Sequence, residues 1–497
     1  MPPTVLPALV GLLEDLSAAR IRFCSWKSNE HLGVGLAGKT DVDLLVDERQ
    51  IGEFRIVLAR HGVKPLTAAP ARTYPGMEHH LGLDRSSGRL FHLHVHTQLV
   101  LGEEHVKNHH VAMEERFLDS ARPLGEVPVP APELELAILA VRVLLKYRAR
   151  DVVKDMLKIR TPGIKPPVRA ELSWLFERTS AAEVRTALEG APLPAETVCR
   201  FLETYRRDPR AGATFLRLRS RLRRELAGAR RGGGLRAKAH ALGANRRANG
   251  HPLRTRMRPS TGGLTIALVG SDGSGKSTVA AELTRWFGWK LAVRRIYLGS
   301  KSPSRTARAS YGAFRACRRG HRAAARRLGE DSRVSRAAAR TRDVVLALHD
   351  LAIGRDRARR CREGRRDADG GCVVVFDRFP LDALSSSPAH RILDGPRIAR
   401  TLPRGRLLDR LARREERLYA GLGLPDVLVF MRIDADEAFR RKPDHTLEVL
   451  ASKTRAADEL ASLGARTIHP VRVLEIDATA PLDDVVRTLK SELWDVL

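Results

Sequence analysis

Leu264-Thr-Ile-Ala-Leu-Val-Gly270-Ser271-Asp272-Gly273-Ser274-Gly275-Lys276-Ser277-Thr278 runs from an apolar segment through a glycine-rich turn to a lysine and two hydroxyls. Its first six residues read as a buried strand, and Ser277–Trp286 has the spacing of an amphipathic helix. The turn between them fits G-x-x-x-x-G-K-[ST]. Glycines let successive N–H groups face one cavity. A helix starting near Lys276 sets its positive dipole end beneath an anion. Lys276 then reaches the outer phosphate oxygens, and Ser277 offers a hydroxyl to magnesium. A turn of this composition also arises by chance. Between a buried strand and an amphipathic helix it reads as a phosphate-binding loop, with Gly270 to Thr278 as nucleotide-binding residues and ATP with Mg²⁺ as the ligand.

Outward from this loop, strands at Leu264–Gly270, Arg294–Tyr297, Cys372–Asp377, Val427–Arg432 and Arg472–Asp477 alternate with helices, notably over 341–361. That order predicts an α/β unit with a parallel sheet covered by helices on both faces. Val373-Val-Val-Phe-Asp377-Arg378-Phe379-Pro380 ends a strand in Asp-Arg at the carboxyl edge, where open α/β sheets bind ligands. Asp377 there binds a magnesium water or takes the acceptor's proton, and Arg378 clamps a phosphate. A surface ion pair is the bland alternative. Arg440-Arg441-Lys442 follows the fourth strand; it reads either as a cationic lid over a migrating phosphoryl group or as a solvated helix end.

With these residues in view, the region from about 264 to 497 resembles the thymidylate kinase family of P-loop nucleoside monophosphate kinases. The loop itself, Asp377-Arg378-Phe379, Pro425-Asp426-Val-Leu-Val-Phe430 and Ile476-Asp477 carry the likeness. The resemblance implies a catalytic set of Lys276, Asp377, Arg378, Arg440 and Arg441. Asp272 would face the acceptor sugar or magnesium, and Ser277 and Asp377 would serve Mg²⁺. The implied reaction is transfer of the γ-phosphoryl group of ATP to dTMP, and dimers are common in the family. One segment departs from the pattern. Where the family carries Arg-Glu-Pro-Gly-Gly, this chain reads Tyr297-Leu-Gly-Ser-Lys-Ser-Pro303 and then an arginine-rich insertion, and Asp394-Gly-Pro396 is a candidate segment for a different acceptor. The acceptor is therefore a nucleoside monophosphate or another phosphorylated small molecule of a biosynthetic pathway. A nucleic-acid-associated P-loop ATPase is the remaining reading.

In the first third, helical spacing over 5–19 precedes a short strand at Ile21–Trp26. Lys27-Ser28 and Asp41-Val-Asp43-Leu-Leu-Val46 follow. Two carboxylates one residue apart share a strand face, which suits a divalent metal. The arrangement over about 20–150 resembles the nucleotidyltransferase superfamily, an α+β fold whose small-residue turn precedes Asp-x-Asp. A third carboxylate belongs on a later strand, but Phe91-His92-Leu-His94-Val-His96-Thr97 puts histidines there. Those imidazoles are either transition-metal ligands or a polar strand face.

At 497 residues, 43% of them hydrophobic, the chain supports two or three cores. The boundaries expected are 1–147 for the nucleotidyltransferase-like domain, 148–215 for a helical region, 216–260 for a basic linker and 261–497 for the kinase domain. From Leu216 to Gly263 the only acid is Glu225, and Gly232-Gly-Gly234 interrupts the run. The net charge of +30 would attract polyanions. Its arginine runs lack aromatic interleaving, however, which favours solvated faces over a nucleic-acid surface. Cys24, Cys199, Cys317, Cys361 and Cys372 stand too far apart for a paired zinc or disulfide framework. With no secretory signal and no apolar membrane span, a cytoplasmic protein is expected.

Overall fold

Period-two alternation in the first half of the chain builds a six-stranded mixed sheet. Its strands are β1 (Phe23–Ser25), β2 (Asp41–Val46), β3 (Lys64–Thr67), β4 (Met77–Asp84), β5 (Arg89–His96) and β6 (Arg258–Pro259). They lie in the order β1-β2-β5-β4-β3-β6, with β2 and β5 parallel and the other pairs antiparallel. Val42, Leu44 and Val46 join Phe91, Leu93 and Val95 in one core. Leu9, Leu12 and Leu16 of the helix Pro7–Ala18 and Phe54 of the helix Ile51–Arg60 complete it. The intervening residues Asp41, Asp43, His92, His94 and His96 therefore face the opposite side.

The computed structural model describes residues 4–69, 73–103, 106–156, 163–231, 256–299, 304–381, 384, 387–467 and 471–497. They form two units, Met1–Ser260 and Thr261–Leu497. In the first, a second core surrounds the helix Pro132–Lys146, whose Leu136 to Val141 are at most 1% exposed. A helix apolar all round needs neighbours on every side. The helices Pro166–Phe176, Ala181–Ala187, Ala195–Arg207 and Gly212–Glu225 supply them.

Two expected boundaries change here. The break at 147/148 falls inside this core, which extends from Cys24 to Leu226. The expected linker start at 216 falls inside the helix Gly212–Glu225. Phe215, Leu218 and Leu222 recur at helical spacing and are buried, while the arginines between them stay exposed or half-buried. Arginine content hid an ordinary amphipathic helix. Gly232 to Gly234, and the expected linker as far as 255, lie outside the described residues.

The second unit holds β7 (Leu264–Gly270), β8 (Val293–Tyr297), β9 (Val373–Asp377), β10 (Val427–Arg432) and β11 (Arg472–Asp477). The sheet is parallel throughout, in the order β8-β9-β7-β10-β11. Every residue of β7 and β9 is buried, as a sheet covered on both faces requires. The helices Lys276–Phe287 and Arg333–Asp369 pack on β7, β8 and β9, and Leu447–Thr467 packs on β7, β10 and β11. The α/β expectation is met. The arginine-rich insertion forms two helices, Arg305–Leu328 and Arg333–Asp369, packed along each other. At Gly364 the longer one touches the sheet, since a Cβ there would sit 2.7 Å from Phe376 Cζ and 2.8 Å from Ile296 Cδ1. Strand order reverses beside β7, so the carboxyl ends of β7, β9 and β10 border the crevice where such sheets bind ligands. No helix among the described residues is long and apolar enough to cross a membrane.

Candidate active site

The loop at the end of β7 is held in shape by glycine. Gly273 has φ +90, and a Cβ there would lie 2.7 Å from the Ala438 carbonyl oxygen. Gly275, at φ 78, is the N-cap of the helix Lys276–Phe287, and no side chain caps that first turn. The amide end of the helix is thus left to an anion. The Lys276 ammonium donates to the Ser271 carbonyl and, at 3.2 Å, to Ser274 Oγ. Lys276 is 5% exposed, and burial, aided by nearby Arg378, pushes its ammonium down to about 8. Ser271 Oγ is buried without a hydrogen-bond partner among the described residues. A buried cation curled on a carbonyl, an orphaned hydroxyl and an uncapped helix end together fit a polyphosphate.

Ser277 Oγ donates to Asp377 Oδ1 at 3.1 Å, bringing the loop to the end of β9. The other Asp377 oxygen accepts from Arg295. Two hard oxygen donors side by side suit Mg²⁺. Such an ion would neutralise phosphate charge there.

Beyond the loop, Asp272, Arg378 and Asp394 form a chain of charges. Arg378 donates to Asp272 Oδ1 at 2.7 Å and to Asp394 Oδ2 at 3.2 Å. Lys453 Nζ sits 2.5 Å from Asp272 Oδ2, with Lys442 and His445 each 3.6 Å from that carboxylate. Burial would raise the Asp272 carboxyl, but hydrogen bonds from Lys453 and Arg378 hold it far below the usual carboxylate range. Burial likewise opposes ionisation of Asp394, and Arg357 and Arg378 override it. Arg357, 2% exposed, donates to Leu298 O and Tyr419 Oη, both at 2.7 Å, and to Asp394 Oδ1 at 3.2 Å. Arg378 itself has φ 71, and its buried Nε makes no hydrogen bond among the described residues.

A cavity of 470 Å³ opens against this chain. Gly270 and Asp272 of the loop, Tyr297, Arg378 and Asp394 line it, with Arg397, Arg400, Lys442, His445 and Lys453 as further cationic or imidazole groups. Cations outnumber the two carboxylates, so the cavity suits an anionic molecule beside the loop.

Asp272, Lys276, Ser277, Asp377 and Arg378 thus come together. Arg440 and Arg441 do not. Both pair with Glu437 on their own short helix Ala435–Arg441, three and four residues away, and Arg441 also donates to the Ala478 carbonyl at 2.8 Å. The cations that line the cavity in their place are Lys442, already read as part of that cluster, and Lys453, Arg397 and Arg400. Nothing local marks Lys453; only the packing of Leu447–Thr467 on the sheet brings it to Asp272. Ser300 to Pro303 of the departing segment lie outside the described residues.

In the first unit, the β2–β5 register sets Asp41 opposite His92 and Asp43 opposite His94. The carboxylates share a face, but imidazoles engage their oxygens. Asp41 Oδ1 is 2.8 Å from His92 Nδ1, and Asp43 Oδ1 is 3.2 Å from His94 Nδ1. Lys27 Nζ lies 2.8 Å from Asp43, which links the Lys27-Ser28 turn to the same face. Burial would raise the Asp43 carboxyl; Lys27 and bonds from His94 and His96 hold it well below the ordinary range. His79 of β4, which sequence reading missed, pairs in register with His94.

No protein-family model matches the chain. The ATP-binding protein YghS of Escherichia coli strain K12 is 29% identical to it over 232 residues, 45% of this chain and 89% of that protein. A thymidylate kinase of Leifsonia xyli subsp. xyli is 29% identical over 238 residues, 46% of this chain and 94% of that one. A solved structure of deoxyadenosine kinase from M. mycoides with bound dATP covers 46% of this chain and 98% of its own, at 12% identity and a TM-score of 0.29. The ATP-binding protein YghR of Escherichia coli strain K12 is 30% identical over 223 residues, 44% of this chain and 83% of that protein. Through that stretch the chain belongs to the family of the ATP-binding protein YghR.

Proposed function

We propose that residues 261–497 form an ATP-dependent phosphotransferase of the nucleoside-monophosphate-kinase type, acting on a phosphorylated small molecule. The observation that carries this is the cation-lined cavity sharing Gly270 and Asp272 with the phosphate-binding loop. The names of the ATP-binding and kinase relatives support the same reading. Loop amides and Lys276 hold the triphosphate of ATP, and Ser277 and Asp377 hold Mg²⁺. Arg378, Lys442 and Lys453 hold the acceptor's phosphate against the loop. The bond between the γ-phosphorus and its bridging oxygen breaks to leave ADP, while an acceptor oxygen forms the new bond. Transfer of this kind rests on positioning and charge.

The first acceptor to test is dTMP, on the resemblance at Asp377-Arg378-Phe379. The departing segment after Tyr297 and the Asp394–Arg357 pair favour a second class, other phosphorylated small molecules such as sugar phosphates. We read the first unit as nucleotidyltransferase-like on its Lys27-Ser28 turn and Asp41-x-Asp43 strand. A coupled ADP-release screen over nucleoside monophosphates and sugar phosphates, with Lys276→Ala as control, tests the proposal. Turnover on one acceptor class, lost in the control, supports it. Polynucleotide-stimulated ATP hydrolysis with no small-molecule acceptor would replace it with the nucleic-acid-associated reading.

A further inference from the structure

We propose that His79, His92 and His94 bind one divalent transition-metal ion of the Zn²⁺ class, with Asp41 and Asp43 orienting the imidazoles rather than ligating the ion. One ligand atom from each of the three histidines lies within 4.8 Å of the others. Tetrahedral zinc with Zn–N distances near 2.0–2.1 Å sets its nitrogens about 3.3 Å apart. Ring rotation on metal binding would have to bring them that much closer.

Three observations carry the assignment. First, both ring nitrogens of His79 are buried without a hydrogen-bond partner among the described residues, and the residue is only 7% exposed. An imidazole normally keeps a partner when buried, so His79 is poised for a ligand rather than for the protein. Second, the rings converge: His79 and His94 centroids are 4.6 Å apart, and His92 and His94 are 4.7 Å apart. Third, Asp41 and Asp43 both sit on Nδ1, of His92 and His94 respectively. A carboxylate on one ring nitrogen fixes the tautomer and leaves the other nitrogen for a metal; Nε2 of His94 lies 3.9 Å from Asp41 Oδ2, beyond hydrogen-bond distance.

The ligand class follows from the donors. Three imidazoles suit Zn²⁺, Co²⁺ or Ni²⁺, whereas Mg²⁺ prefers oxygen. The histidines that stand where a third carboxylate was expected thus change the kind of ion. Asp43, His94 and His96 form a second close group sharing His94. His79 has both ring nitrogens without a partner among the described residues, against Nε2 alone of His96, which favours the first.

The test uses the full-length chain, stripped with chelator and titrated with Co²⁺ and then Zn²⁺. The expected result is one equivalent of Co²⁺ with the intense visible band of a four-coordinate ion, displaced by Zn²⁺ and not by excess Mg²⁺. His79→Gln and His94→Gln should each weaken Co²⁺ binding by about 100-fold or more, at or beyond the roughly 10–100-fold that loss of an outer-shell partner costs, while His96→Gln and the distant His31→Ala keep it. Zn²⁺ should raise the unfolding temperature of wild type and not of His79→Gln, which separates lost ligation from lost folding. Absence of a bound equivalent in wild type would overturn the proposal. So would displacement by Mg²⁺, or binding that survives His79→Gln but not His96→Gln.

Discussion

Replacing Arg378 by alanine removes a side chain that ties the loop carboxylate of Asp272 to Asp394. Two charge-assisted hydrogen bonds disappear, each worth about 1.5–3 kcal/mol. The carboxylates left behind are 7% and 16% exposed, so they cannot recover full hydration. Breaking a buried pair from one side costs about 3–5 kcal/mol. Here Lys453 stays beside Asp272 and Arg357 beside Asp394, which reduces the loss. The expected destabilisation of the second unit is about 3 kcal/mol. Arg378 also sits at φ 71, where a residue with a Cβ is strained by about 1–2 kcal/mol. Arg378→Gly should therefore be roughly 1 kcal/mol less damaging than Arg378→Ala. Asp394→Asn in the alanine background should recover part of the loss, with a coupling of about 1–3 kcal/mol. Native-state hydrogen exchange of β7 and β9 in the full chain reads these differences. In the ADP-release assay, Arg378→Ala should lower kcat/KM for the phosphorylated acceptor by about 10²-fold or more. Protection of β7 and β9 unchanged within about 0.5 kcal/mol, with glycine no better than alanine, would refute this reasoning.

Other expectations follow from the same geometry. Gly273→Ala forces a Cβ to within 2.7 Å of the Ala438 carbonyl oxygen at positive φ, and calorimetry should show weaker Mg·ATP binding and a lower unfolding temperature. Gly275→Ala meets no atom within 4 Å, so it should cost only the backbone strain of about 1–2 kcal/mol. Because Lys276 is pushed down to about 8, ATP should bind more weakly as pH rises through that value, with proton uptake on binding measurable in buffers of different ionisation heat. Burial raises Glu135 to about 7. Between pH 4.5 and 7 the folded carboxyl therefore keeps a proton that the unfolded one has lost, and stability falls as pH rises across that window. Glu135→Gln should remove about 3 kcal/mol of that fall, read from urea unfolding of the first unit at pH 5 and pH 8.

What was legible in the sequence was local. The glycine spacing, the lysine and the preceding apolar run sit within fifteen consecutive residues, and β7, β9 and β10 of the second unit are near-continuous apolar runs. Asp377 and Arg378 could be placed because a strand end fixes its own edge of a sheet. What was hidden depends on distant contacts. Arg357 looks like any arginine of an exposed helix, yet it is buried and bound to Asp394. Lys453 reaches Asp272 across 181 residues. His79 carries no period that marks it, and only β4–β5 pairing brings it to His94. The helix Gly212–Glu225 was obscured for the opposite reason, since its arginines masked three buried apolar positions. Arg440 and Arg441 show how an acid one helical turn away can take a cation out of a site.

The central claim is that the segment from Gly270 to Thr278 grips a nucleotide triphosphate, and equilibrium titration with ATP in the presence of Mg²⁺ tests it most directly. Wild type should bind one equivalent, and Lys276→Ala should lose that binding while keeping its fold by circular dichroism. A wild-type protein with no affinity for ATP, or a Lys276→Ala protein that binds it equally well, would contradict the account.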